Sequence, residues 1–288
     1  MSNLINPFAP FDELLLAALK ENVRSALSED VGSGDLTGKL VPEDKMVKAL
    51  VSVREHAVLC GAPWFEAVMK GVDPNIHINW LYAEGDAMKA NSQVCWIDAP
   101  ARSLLTAERT ALNFLQLLSG VATLTSKFVN LIRGTKAEVM DTRKTLPGLR
   151  LAQKYAVRVG GGANQRMALY DGILIKENHI AAAGGITAAL NAAQALNAGV
   201  SVQVEVETLL ELEEALAAGA QSVLLDNFRM ENVREAVQIN AGRAVVEVSG
   251  GVNIYSVRTI AETGVDRISV GVLTKDVQAT DYSLRIFG

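Results

Sequence analysis

From about residue 136 onward the sequence repeats one pattern: a short apolar run, a polar or glycine-bearing tip, then a segment of helical periodicity. The runs are AEVMDT (137–142), GILIKEN (172–178), VQVEVE (202–207), SVLLDN (222–227), VVEVSGG (245–251) and RISVG (267–271). Between them, segments such as TLLELEEALAAG and MENVREAVQINAG place apolar residues at i, i+3 and i+4 and end on glycine, as helices closed by a left-handed residue do. The last four runs recur about every 22 residues, a spacing that suits short βα units. Strands that are apolar throughout and separated by helices predict a parallel sheet covered on both faces. Two architectures meet that description, a (β/α) barrel and an open doubly wound sheet.

The strand tips decide between them. Arg143 and Lys144 follow the first run, and Lys176, Asn178 and His179 close the second. Glu205 and Glu207 end the third, Asp226 and Asn227 the fourth, Ser249-Gly250-Gly251 the fifth and Gly271 the sixth. A barrel gathers its strand C-terminal ends on one face, where its active site lies. An open sheet would gather them mainly near one switch point. Six consecutive tips carrying ionisable or glycine-rich chemistry favour the barrel.

Residues 1–100 read differently. An amphipathic helix from Phe11 to Leu27 precedes VKALVSV, AVLCG, NIHINWLYAEGDAM and QVCWIDAP, with turn signals at Pro42, Gly61, Asp73-Pro74 and Gly85-Asp86. This predicts a separate α+β layer. A long helical stretch from Arg102 to Ile132 follows, with a break expected at Ser119-Gly120. Its apolar residues point to more than one side, so it is expected to be buried, in the core or at a subunit interface. The closing DYSLRIFG alternates with period two and reads as a strand returning to the first domain. The expected boundaries are 1–116 for the first domain, 117–274 for the barrel and 275–288 for the returning strand.

Charge narrows the function. The formal net charge is −5 and the pI about 5.4, which argues against nucleic acid or a membrane surface as partner, since both need a basic field. No apolar stretch approaches the roughly 20 residues that span a bilayer. The N-terminus MSNLINPFAPFDE lacks the pattern of a secretory leader, and Cys60 and Cys95 sit in apolar surroundings without metal-ligand spacing. The expected compartment is the cytoplasm.

Against that acidic balance, Arg143, Lys144, Arg166 and Lys176 would converge on one face. Gathered there without counter-charge they would repel one another, and a multiply anionic ligand resolves the conflict. Glu205 and Asp226 offer hard oxygen ligands of the kind Mg²⁺ uses beside substrate phosphates, or else a structural ion pair with the same cations. Ser249-Gly250-Gly251 and Gly271-Val272-Leu273 are similar to barrel phosphate sites, where small residues let backbone N–H groups approach an anion. The glycines 160–162 are either part of such a site or a flexible loop. His56 and His77 read as surface or sheet residues; His179 either orients a ligand or bonds to the backbone. The absence of GxSxG, Walker and dinucleotide fingerprints weakens nucleophilic catalysis and dinucleotide binding.

ERTALNFLQLLSGVAT, DTRKTLPGLR, KYAV, ILIKENH, VEVE, LLDN, EVSGGV and ISVG..TK occur in an order that resembles the quinolinate phosphoribosyltransferase family. The resemblance runs from EDVGSGDLT to the last strand. It implies an α/β fold in which an α/β sandwich domain precedes an incomplete (β/α) barrel. It also implies transfer of phosphoribosyl from 5-phosphoribosyl 1-diphosphate to quinolinate with loss of CO₂, a step of NAD biosynthesis, with Mg²⁺ and a homodimer that shares its active sites. Arg109 would then reach into the partner's site. Thr142, Arg143, Arg166 and Lys176 would hold the two quinolinate carboxylates, while Lys144, Glu205 and Asp226 would serve the phosphoribosyl diphosphate and its metal. Lys144, Lys176, Glu205 and Asp226 would carry the catalytic roles. Ser249, Gly250, Gly251, Gly271, Val272 and Leu273 would hold the 5-phosphate.

Two positions depart from the family pattern. Gln165 stands where many members have His; it still offers a hydrogen bond to a carboxylate but carries no titratable proton. Gln203 replaces an acidic residue often found two before Glu205. Gln165 keeps open a phosphoribosyltransferase for a different anionic aromatic acid. A non-catalytic barrel binding a phosphorylated ligand is the remaining alternative, and retention of Glu205 and Asp226 speaks against it.

Overall fold

The computed structural model describes residues 3–287. Met1, Ser2 and Gly288, which open the leader reading and close the last-strand reading, lie outside the described residues. By internal packing the described chain divides into two units: residues 3–126 with 146–161 and 276–287, and residues 127–145 with 162–275.

Helix α1 (Glu13–Val31) starts where the Asp12 carboxylate accepts a hydrogen bond from Leu15 N at 2.7 Å, and buries Leu15, Leu19 and Val23 along one face. Strand β1 (Met46–Val53) alternates as a half-covered strand should, burying Val47, Ala49, Val51 and Val53. After β2 (Ala57–Val58), helix α2 (Ala62–Val72) begins over Glu84. This buried carboxylate accepts from Gly61 N at 2.8 Å, from Ala62 N at 3.1 Å and from the Tyr155 hydroxyl at 2.9 Å. Strands β3 (His77–Trp80), β4 (Ala87–Met88) and β5 (Ser92–Pro100) follow.

Helix α3 (Ala101–Leu131) is continuous, so the break expected at Ser119-Gly120 does not occur. Both residues are contact points instead. Ser119 Oγ bonds the Cys60 carbonyl at 2.9 Å and the Tyr282 hydroxyl at 2.9 Å, and a Cβ at Gly120 would fall 2.1 Å from the Gln278 carbonyl oxygen. A helix tolerates an interior glycine where a neighbouring backbone leaves no room for a side chain. Leu112, Leu115, Leu118 and Val121 of this helix are buried, whereas Leu105 is partly exposed.

Strand β6 (Glu138–Met140) opens the second unit's sheet. Helix α4 (Arg150–Val159) packs with the first unit, and Gly160 N bonds the Ala156 carbonyl and Gly161 N the Arg158 carbonyl, so these two glycines close the helix. The chain then runs through β7 (Gly172–Ile175), α5 (Glu177–Ala183), α6 (Ile186–Ala195), β8 (Ser201–Val206) and α7 (Leu209–Ala217). Thr208 and Glu211 begin α7 with a reciprocal capping box. Next come β9 (Ser222–Asp226), α8 (Met230–Asn240), β10 (Val245–Ser249), α9 (Val257–Ala261), β11 (Arg267–Ser269) and α10 (Val272–Lys275), before β12 (Tyr282–Phe287).

Among the described residues the first unit holds a four-stranded antiparallel sheet in the order β12-β1-β5-β3 and a small β2-β4 pair. Its core is aliphatic and aromatic, with Tyr155 ringed by Phe8, Phe11 and Trp64. The second unit holds a six-stranded parallel sheet in the order β6-β11-β10-β9-β8-β7. No pairing joins β7 back to β6 among the described residues, which makes this an incomplete barrel. Ala163 stands beside β6 through a parallel bridge to Met140. No helix among the described residues is long and apolar enough to cross a membrane.

Candidate active site

In a parallel strand covered on both faces, alternate residues point to the sheet's two sides. At the C-terminal ends of the barrel strands that rule brings chemistry together at positions i and i+2. Strand β7 and its end supply Leu174 and Lys176, β9 supplies Leu224 and Asp226, and β10 supplies Glu247 and Ser249. Glu205 of β8 and Ser269 of β11 complete the set, around a cavity of about 390 Å³. Leu224 pairs in register with Glu247, and Asp226 with Ser249.

Most of the residues singled out from sequence meet there. Thr142, Arg143 and Lys144 line the cavity from the loop after β6, and Gln165 and Arg166 from the loop before β7. Thr142 Oγ1 accepts from Lys144 N at 3.0 Å, and the Lys144 carbonyl accepts from Thr274 Oγ1 at 2.8 Å, so the loop carrying Arg143 is tied at both sides. Lys176 Nζ bonds both Glu205 oxygens, at 2.8 and 2.7 Å. Of the two readings left open for Glu205, the ion pair is therefore present. Asp226 accepts instead from the Asn227 amide at 2.8 Å. His179 accepts from Lys176 N at 3.0 Å, which is the backbone-bonding alternative.

Gly250 and Gly251 follow β10 with positive φ of 100° and 61° and line the cavity with Ser249. At Gly250, with its φ of 100°, a Cβ would lie 2.9 Å from the backbone N of Asn227, so only glycine fits this turn. Three predicted residues stand apart from the lining: Gly271 is half-buried beside Lys144, and Val272 and Leu273 open α10, with the Leu273 side chain fully buried in the core. Arg109 lies exposed on α3 in the first unit and is likewise absent from the lining.

The cations crowd one another. Partial burial, and then the neighbouring Arg143 guanidinium, pull the ionisation of Arg166 below its ordinary value; Asp171 and Glu205 oppose that. Arg166 Nη1 donates to the Gly172 carbonyl at 2.9 Å. Among the described residues no group of three or more His, Cys, Asp or Glu is placed to hold a metal. Glu205 and Asp226 offer two carboxylates on one wall of the cavity.

Sequence reasoning missed the floor. Glu247, fully buried, accepts from Gln165 Nε2 at 2.9 and 2.7 Å, from Gln203 Nε2 at 2.9 Å and from Ser269 Oγ. Gln203 Oε1 accepts from Gln165 Nε2 at 3.1 Å. The signal was a charged residue inside the apolar run VVEV, which in a strand covered on both faces must point into the barrel.

An incomplete parallel α/β barrel with clustered cations, two carboxylates and a serine–glycine turn at its strand ends defines a protein built to hold a multiply anionic ligand. Residues 35–119 match the family profile for the N-terminal domain of quinolinate phosphoribosyl transferase, and residues 121–285 match that of its C-terminal domain. The nicotinate-nucleotide pyrophosphorylase (carboxylating) of Mycobacterium leprae is 41% identical over 275 residues, covering 93% of this chain and 96% of that protein. A probable nicotinate-nucleotide pyrophosphorylase (carboxylating) of Bacillus subtilis is 38% identical over 269 residues, covering 93% of each. The solved structure of the nicotinate-nucleotide pyrophosphorylase from Francisella tularensis superposes with a TM-score of 0.92 at 46% identity, covering 96% of this chain and 100% of that one. The chain belongs to the quinolinate phosphoribosyl transferase family.

Proposed function

We propose that this protein transfers the phosphoribosyl group of 5-phosphoribosyl 1-diphosphate to quinolinate and releases CO₂, giving nicotinate mononucleotide and diphosphate, a step of NAD biosynthesis. The observation that carries the reading is the convergence of Arg143, Lys144, Arg166 and Lys176 on one cavity in a chain of net charge −5. Both substrates are oxygen-rich anions, and such a cavity favours them.

Thr142, Arg143, Arg166 and Lys176 hold the two quinolinate carboxylates, with Gln165 beside them. Lys176 has three N–H donors, so it can keep Glu205 and still meet a substrate carboxylate. Lys144 meets the diphosphate. Ser249, Gly250 and Gly251, with the turn at Gly271, Val272 and Leu273, take the 5-phosphate. The pyridine nitrogen attacks C1 of the ribose, the C1–O bond breaks, and its electron pair leaves with the diphosphate. Lys144 stabilises that departing charge, while Glu205 and Asp226 face the ribose hydroxyls and offset the positive charge that grows on the ring. The ring nitrogen is then cationic. The carbon–carbon bond to the adjacent carboxylate breaks, CO₂ leaves, and the electron pair stays on the ring carbon beside that nitrogen until the carbon takes a proton. Positioning and electrostatics suffice for both steps.

Mg²⁺ is the proposed cofactor. Two carboxylates suit an ion that keeps several waters and takes its remaining oxygens from substrate phosphates, and they are too few for a protein cage. Glu205 and Asp226 would hold it, and bound there it would neutralise diphosphate charge. The proposed assembly is a homodimer in which Arg109 of one protomer completes the partner's site; its exposure on α3 supports this. The proposed compartment is the cytoplasm, supported by two buried free cysteines, Cys60 and Cys95.

The test is incubation with quinolinate, phosphoribosyl diphosphate and Mg²⁺, following CO₂ and mononucleotide, with nicotinate as competing acceptor. Stoichiometric CO₂ and mononucleotide, abolished by chelation of Mg²⁺, is the expected result. Turnover of nicotinate in preference to quinolinate, or none with either, overturns the reading.

A further inference from the structure

Gln165 and Gln203, 38 residues apart, meet on a third residue, the fully buried Glu247. We propose that Glu247 is a positioning residue for the quinolinate end of the cavity, acting through Gln165 on Arg166; this rests on the reading of Arg166 as a carboxylate-binding residue.

The geometry carries the proposal. The segment 163–166 stands where β6 and β7 leave the barrel unclosed, with Ala163 bridged to Met140 and Arg166 Nη1 reaching the Gly172 carbonyl at the start of β7. Among the described residues Gln165 and Arg166 belong to no strand. Two buried carboxylates hold them instead. Asp141, at the end of β6, accepts from Gln165 N at 2.9 Å and from the Asn164 amide. Glu247, on β10, accepts from the Gln165 side-chain amide with both oxygens. The other end of that amide, Gln165 Oε1, accepts from Arg166 N at 3.0 Å. A chain of hydrogen bonds therefore runs from the middle of β10 through one side chain to the backbone of the arginine that faces the cavity.

Among the described residues the groups that donate to Glu247 are neutral: the Gln165 and Gln203 amides and the Ser269 hydroxyl. With these donors the carboxylate supplies direction, because an acceptor on both oxygens turns the Gln165 amide so that its carbonyl faces Arg166 N. Replacing Glu247 by Gln keeps volume and shape but puts an NH₂ where donors converge. The amide of Gln165 must then turn or tilt, and Arg166 N loses its acceptor. Gln203 has the means to compensate, since its Oε1 already takes a hydrogen bond from Gln165 Nε2. A carboxylate at 203 would face the same amide from the neighbouring side of the barrel floor.

The experiment compares wild type, Glu247→Gln and the double variant Glu247→Gln/Gln203→Glu, with thermal midpoints and separate KM values for quinolinate and phosphoribosyl diphosphate. Misplacing one charge-assisted bond to a substrate carboxylate raises the quinolinate KM of Glu247→Gln by about 10- to 100-fold. Its KM for phosphoribosyl diphosphate stays within about twofold and kcat within about threefold, because the lost contact binds ground and transition state alike. The double variant recovers the quinolinate KM to within about threefold of wild type, since one carboxylate again faces Gln165. A wild-type quinolinate KM in Glu247→Gln, equal rises in both KM values, or a double variant no better than the single one overturns the proposal. If Glu247→Gln fails to fold, the double variant decides alone, and its failure to regain wild-type KM counts the same way. Inactivity of the wild type with these substrates refutes the functional reading instead, so the two failures are distinct.

Discussion

Glu84 lies buried beneath the start of α2, where among the described residues its carboxylate faces no cation and takes hydrogen bonds from Gly61 N, Ala62 N, the Tyr155 hydroxyl and the Cys60 thiol. Burial pushes its carboxyl up from 4.5 to about 7, and those donors keep it from rising further. Because the folded protein holds this proton more tightly than the unfolded chain, stability falls as pH rises from the unfolded value to the folded one, and is level above it. Between about pH 5 and about pH 8 the loss amounts to about 2.5 kcal/mol, part of the full difference having accrued below pH 5. Glu84→Gln removes the titration. The glutamine also gives up one acceptor, but that cost is the same at every pH and cancels from the slope. Thermal unfolding of both proteins across this range, at one concentration and ionic strength, should show the wild type losing about 5–10 °C relative to the variant as pH rises. Every other titrating group, the three histidines included, is present in both proteins and cancels. A difference that stays flat across the range would refute the reasoning.

Arg143→Ala should lower kcat/KM for quinolinate at least about 100-fold with little change in thermal midpoint, since it removes a bidentate carboxylate contact from a cavity wall. Lys176→Ala should lower it as strongly and cost more stability, because Glu205 then loses the ammonium that bonds both its oxygens; unchanged turnover in either variant contradicts the assignment. Mixing inactive Arg109→Ala with inactive Lys176→Ala protomers under subunit exchange should restore about a quarter of wild-type activity, as each mixed dimer regains one intact site. Activity that stays at the level of the separate variants places Arg109 outside the partner's site. Gly120→Ala should destabilise the first unit by about 3 kcal/mol, read from denaturant midpoints, because its Cβ meets a backbone carbonyl that cannot swing aside.

The rim of the site was legible in the sequence and its floor was not, for a physical reason. Lys176, Asp226 and Ser249-Gly250 stand where an apolar run stops, and the end of a strand is a local event that periodicity reports. Glu247 stands two residues earlier, inside its run, and its meaning depends on Gln165, a partner 82 positions away. The same distance effect governs α4. There Tyr155 packs among Phe8, Phe11 and Trp64, a choice of neighbours that no local window contains. Ser119-Gly120 failed in the opposite direction: two residues that weaken a helix in isolation hold this one against Cys60, Tyr282 and the Gln278 backbone. Gln165 then changes its significance. Beside Gln203 and above Glu247 it is one amide in a set whose donors and acceptors match, with its carbonyl turned to the Arg166 backbone N–H.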